Sequence, residues 1–218
     1  MDNITIYHGS EKTIVLPKYG QGKPYNDYGL GFYCTEDKAL AQEWAVLENR
    51  DGFANEYTLN MDGLKTLNLS DKQYSVLHWL TILLKNRVFR LKGDIAVQGR
   101  QYLMEKYSID VSSFDIIKGY RADDSYFSYA QSFLNNELSV SRLEAAMKYG
   151  KLGEQIVLVS QKAFEQIDFV SAVRADSKVF WPKRFERNEQ ARLEYLKTKS
   201  RAITKDDVFL ADLIRYND

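Results

Sequence analysis

Alternating and doubly apolar runs, separated by turn residues and followed by longer helical repeats, set out the elements of this chain in order. Ile4 to His8 alternates as a short strand, and Glu11 to Asp27, with Gly20, Gly22 and two of the three prolines, reads as a long loop. Gly29-Leu30-Gly31-Phe32-Tyr33-Cys34 then reads as a strand that passes into a helix at Thr35, the expected cap, and the helix runs over Ala39 to Glu48. Glu56 to Asn68 predicts a hairpin or two consecutive strands around Asp62-Gly63. From Asp71 to Arg90, Val76, Leu77, Leu80, Leu83, Leu84 and Val88 recur at helical spacing, with Ser70 or Asp71 as cap.

The second half continues in the same manner. A helix is expected over Gln98 to Tyr107, a strand over Phe114 to Tyr120, and helices over Ser125 to Leu134 and Ser139 to Tyr149. Glu154 to Ser160 is β-branched and apolar on both faces, as an interior strand is, and Ile167 to Val173 is expected to pair beside it. A charged helix over Lys183 to Arg201 and a small one over Asp206 to Tyr216 close the chain. Strands without regular helix alternation predict an α+β fold rather than a doubly wound one. The expected organisation is one domain over residues 1–180 and a charged helical extension, 181–218, packed on it.

Composition narrows the chemistry. The 218 residues include 30 basic and 30 acidic ones, so overall charge calls for no nucleic-acid or membrane partner, although Lys183 to Arg201 is locally basic. One cysteine, Cys34, excludes an internal disulfide and a cysteine-built zinc site, and with two histidines, His8 and His78, no metal is expected. His78 sits within an apolar helix and reads as packing. No run approaches the ~20 apolar residues of a membrane span, and the start lacks a positive, apolar leader. A cytoplasmic protein is expected, with delivery to another cell left open.

Three groups of residues carry candidate chemistry. His8-Gly9-Ser10 ends a strand with a backbone that a ligand can approach. Tyr33 lies between apolar neighbours after two glycines, and Ala41 and Trp44, at about 100° per residue, share one helix face, so a small gap and a large ring form one wall of a slot. Glu154 and Gln155 stand at the start of the late strand, and since Ile156 and Val157 are both apolar, alternation does not choose which of the two faces inward. Asn26-Asp27 and Arg121-Ala122-Asp123-Asp124 are turn and cap residues by default, and accessory cleft carboxylates (Asp27, Asp123, Asp124) in the alternative.

In order and spacing these residues resemble the NAD-binding half of ADP-ribosyltransferases, in the diphtheria toxin and poly(ADP-ribose) polymerase branch. The islands of resemblance are residues 7–10, 26–45 and 154–159. The chain is also similar to uncharacterised bacterial domains with Tyr-His-Gly-Ser, Asp-aromatic-Gly-x-Gly-Phe-Tyr and Ala-Asp-Asp segments, regarded as ADP-ribosyltransferase-like. The resemblance implies split antiparallel sheets around an NAD cleft with helices outside. It implies that His8, Gly9 and Ser10 position NAD, that Tyr33, Ala41 and Trp44 hold nicotinamide, and that Glu154, or Gln155 in its place, stabilises the oxocarbenium-like sugar. Trp44 replaces the usual tyrosine, and Ala41 a serine, which removes one carboxamide contact.

Leu152 stands where arginine-modifying relatives carry Glu or Gln, which argues against an arginine acceptor. The implied function is mono-ADP-ribosyl transfer from NAD to a protein or nucleic acid, in a toxin or defence effector with an inhibitory antitoxin partner. The alternative is a catalytically silent NAD- or nucleotide-binding module or an interaction protein of such a pair.

Overall fold

In the computed structural model, which describes residues 2–122, 124–149 and 153–216, the strand runs of the sequence form two sheets. One is antiparallel, in the order β1 (Asn3–Ser10), β3 (Gly52–Asn60), β7 (Ile167–Ala175). The other is mixed, in the order β2 (Phe32–Cys34), β6 (Glu154–Leu158), β5 (Ile116–Tyr120), β4 (Thr66–Asn68), with β4 parallel to β5. The sheets meet where Tyr7 and Thr35 exchange backbone hydrogen bonds of 2.8 and 3.0 Å. This is an α+β architecture with helices on its flanks, as the sequence predicts.

One open alternative is decided and two expectations are corrected. The run 56–68 is not a hairpin, because β3 and β4 belong to different sheets; the alternative of two consecutive strands holds. The Ile167 strand lies beside β3 rather than β6, and the second sheet is mixed rather than wholly antiparallel.

Burial on both faces of the mixed sheet explains its composition. Ile116, Ile156 and Leu158 face Ile6, Tyr57 and Leu59 of the other sheet. Ile117 and Val157 face a larger core of helical side chains, from α2 (Val76–Asn86), α3 (Gly93–Lys106), α4 (Asp124–Leu134) and α5 (Val140–Tyr149). Trp79, Leu80 and Leu83 of α2 are almost fully enclosed there, each burial stabilising by roughly 1.5–3 kcal/mol.

Helix boundaries follow caps more than periodicity. Asp37, not Thr35, caps α1 (Lys38–Ala45), accepting from the amides of Ala39 and Leu40, while Thr35 Oγ1 accepts from Asp37 N. The apolar helix starts at Val76 because Ser75 and His78 form a reciprocal capping box. That gives His78 a structural role. The charged helix is α7 (Ser177–Ser200), capped by Asp176, and it packs on α1, α4 and α5 across the expected boundary at 180. Arg142 of α5 and Asp207, paired at 2.8 Å and largely buried, tie down the segment before the last helix, α8 (Leu210–Tyr216). Between β6 and β7 lies the short helix α6 (Gln161–Glu165). No helix among the described residues is long and apolar enough to cross a membrane.

Candidate functional site

A cleft of about 960 Å³ opens where the sheets diverge, beneath the loop 11–27. His8, Gly9, Asp27, Tyr33, Trp44 and Gln155 all line it, so residues from β1, β2, α1 and β6 that are distant in sequence converge. Ser10, Ala41 and Glu154 do not.

Gly9 has a packing reason as well as a site reason. A Cβ there would overlap Ala41 O and stand 2.9 Å from Ala45 N and 3.0 Å from Trp44 Cβ, so α1 lies directly against the strand. Ala41 is fully buried in that contact, and its place is in the packing of α1 rather than in the wall of a slot. The register also orients the Gly9 backbone. Tyr7 directs its N–H and C=O away from β3 to Thr35, and by antiparallel alternation Gly9, two residues on, directs its own the same way, towards the cleft. Ser10 donates to Lys12 O (2.7 Å) and accepts from Asn55 Nδ2 (2.9 Å), which pins the root of the loop.

His8 stacks on Phe32, with centroids 4.3 Å apart, and its Nδ1 lies 2.7 Å from Tyr33 O. A carbonyl only accepts, so Nδ1 carries the proton and Nε2 is left as an acceptor. Burial pushes the imidazole below its ordinary 6.5, and the bond to Tyr33 O offsets part of that shift. The unfolded chain therefore binds a proton in a range where the folded one resists it. The stability held by neutral His8 is complete above pH 6.5 and declines as the pH falls below that value. We expect the thermal midpoint to drop between about pH 7.5 and about 5.5, and to drop less steeply in His8→Gln. His78 is shifted the same way and titrates in both proteins, so equal slopes would overturn the assignment to His8.

Tyr33 is fixed by its hydroxyl, which donates to Gly29 O (2.6 Å) and accepts from Tyr28 N (3.1 Å), leaving its ring as cleft wall. Gly29, at φ +76, makes that turn. The Arg121 guanidinium lies 4.5 Å from the Trp44 ring centroid, in cation–π contact. Asp27 accepts from Arg87 (2.8 Å) and from Ala122 N (2.9 Å), so its carboxylate holds the cleft floor together.

The two neighbours on β6 separate. Glu154 shares the face of Ile156 and Leu158, accepts from Ser70 Oγ at 2.7 Å and pairs with Lys118 Nζ at 3.2 Å. Lys118 also holds Glu36, at 3.0 Å. Gln155 turns to the opposite face, is only 6% exposed, and lines the cleft. The strand period of two thus moves Glu154 away from the residues it was expected to join. Among the described residues, two buried side-chain polar atoms have no hydrogen-bond partner, Trp44 Nε1 and Gln155 Oε1, and both residues line this cleft. Asp124 opens α4, while Asp123 and Leu152 lie outside the described residues.

Sequence reasoning missed the cations. Lys12, Lys18, Lys23, Arg87, Arg121 and Arg184 line the cleft against Asp27 as its one carboxylate among the described residues. The three lysines were legible as a cluster in the loop; Arg184 was not, because α7 brings it from far along the chain, where it donates to Val46 O at 2.8 Å.

Fold and site together define an α+β protein with split sheets and a cationic cleft at their junction. The chain belongs to the family described as protein of unknown function (DUF3990), whose model matches residues 4–169. No curated protein and no solved structure matches the chain.

Proposed function

We propose that this chain is a mono-ADP-ribosyltransferase whose cleft binds NAD and passes one ADP-ribose to a macromolecular acceptor. The observation that supports this most is the pair of orphaned buried atoms, one donor and one acceptor, on a cleft with aromatic walls and a basic rim. Buried polar atoms without partners cost roughly 1–3 kcal/mol each, and a ligand that supplies those partners recovers it. NAD offers a flat ring with a carboxamide, ribose hydroxyls and a pyrophosphate.

In this reading the Gly9 backbone holds the carboxamide and the rings of Tyr33 and Trp44 flank nicotinamide. His8 Nε2 accepts from a ribose hydroxyl, Gln155 Oε1 from the 2′-hydroxyl of the nicotinamide ribose, and Arg121 and Arg184 face the pyrophosphate. The C1′–N bond breaks with its electron pair passing to the ring nitrogen, so nicotinamide leaves neutral. An acceptor oxygen or nitrogen then bonds to C1′ and gives its proton to water. Such a transferase suits a toxin or defence effector restrained by an inhibitory partner.

A second reading, NAD binding without turnover, is favoured by the outward Glu154, which leaves a neutral amide as the β6 group at the cleft. Titration with NAD, combined with nicotinamide release in the presence of cell lysate, separates the two. Saturating NAD is expected to stabilise the fold by about 2.7 kcal/mol at a hundredfold excess over Kd, with nicotinamide released. Stabilisation without release favours the second reading, and no stabilisation overturns both.

A further inference from the structure

The loop across the cleft mouth carries more positive charge than a dinucleotide uses. Lys12, Lys18 and Lys23 are exposed, and none is ion-paired with a carboxylate among the described residues. The loop's own acids are engaged elsewhere, Glu11 with Arg50 at 2.9 Å and Asp27 with Arg87 at 2.8 Å. In a chain with formal net charge zero, this is a local concentration of cations. Two aromatic residues are interleaved with the lysines. Tyr19 is 55% exposed, its ring edge against Phe164, and Tyr25 is 74% exposed and is not among the residues that line the cleft.

Alternating ammonium groups and exposed rings suit a flexible polyanion that carries flat apolar groups. Unpaired bases stack on the rings while phosphates meet the lysines. A duplex hides its base faces, and an acidic peptide leaves the rings unused. Lysine, a point charge without the planar fork of arginine, favours tolerance of sequence.

We infer that the loop 11–27 is a docking surface for single-stranded nucleic acid, which lays phosphates on Lys12, Lys18 and Lys23 and stacks a base on Tyr25. The bound strand brings an unpaired nucleotide to the cleft as the acceptor. That last step rests on the transferase reading: a base nitrogen or sugar oxygen bonds to C1′ as nicotinamide departs, and its proton goes to water.

Fluorescence anisotropy of a labelled oligothymidylate of about 15 nucleotides, without NAD, tests the docking. The wild type is expected to bind it. Replacing the three lysines by alanine is expected to reduce the log–log salt slope by roughly 2, three contacts at about 0.7 each. Tyr25→Ala is expected to weaken binding roughly ten-fold while leaving stabilisation by NAD unchanged. No binding, equal binding by the lysine variant, or preference for duplex or oligoglutamate overturns the inference. Oligothymidylate binding without stabilisation by NAD overturns the transferase reading alone, and the converse overturns this docking alone.

Discussion

Gln155→Ala is expected to lower nicotinamide release from NAD by roughly 100-fold or more, and Glu154→Ala by no more than a few fold. The contrast follows from the two faces of one strand. Glu154 is engaged by Ser70 and Lys118 on the side away from the cleft, whereas Gln155 Oε1 is buried, unpartnered and at the cleft. An acceptor that needs no reorganisation contributes most as positive charge develops on the sugar. Gln155→Glu sharpens the test, since a carboxylate at that place is expected to raise release above wild type while lowering stability through its burial. Release is measured at saturating NAD, with affinity determined separately so that lost binding is not read as lost chemistry. A collapse in Glu154→Ala with Gln155→Ala unaffected would reverse the assignment.

Gly9→Ala is expected to cost about 3 kcal/mol of stability, the upper part of the range for overpacking. The added methyl overlaps Ala41 O and crowds Ala45 N, both backbone atoms of α1, so the helix as a whole has to move. Trp44 moves with it, and affinity for NAD is expected to fall in the same variant. Gly20→Ala is the matched control, because Gly20 has φ +76 and no atom within 4 Å of an added Cβ, leaving only conformational strain of about 1 kcal/mol. Urea denaturation measures both. Similar losses in the two variants would remove the packing argument for Gly9.

The convergence of His8, Gly9, Tyr33 and Trp44 was legible because each sits beside a local signal: a strand end, paired glycines, or a strand-to-helix junction. Long-range pairing was not. Nothing in residues 56–68 distinguishes a hairpin from two strands that part company, since a tight turn at Asp62-Gly63 serves both. The inward side of β6 was hidden for a physical reason: both of its faces are buried, so Ile156 and Val157 give no polar alternation against which to place Glu154 and Gln155. Helix starts were misjudged where capping outweighed periodicity. Asp37 and the Ser75–His78 pair define the first turns that Thr35, and Ser70 or Asp71, had been expected to define.

The match to the family stops at residue 169, but β7 runs on to Ala175. Residues Gly52 to Glu56 of the central strand β3 pair with Ala175 to Ser171, all beyond that limit. A polypeptide ended at 169 would leave the amides and carbonyls of Gly52, Ala54 and Glu56, which alternate towards β7, without partners, turning an interior strand into an adhesive one prone to intermolecular pairing and aggregation. The unit recognised by sequence is therefore shorter than the unit that folds.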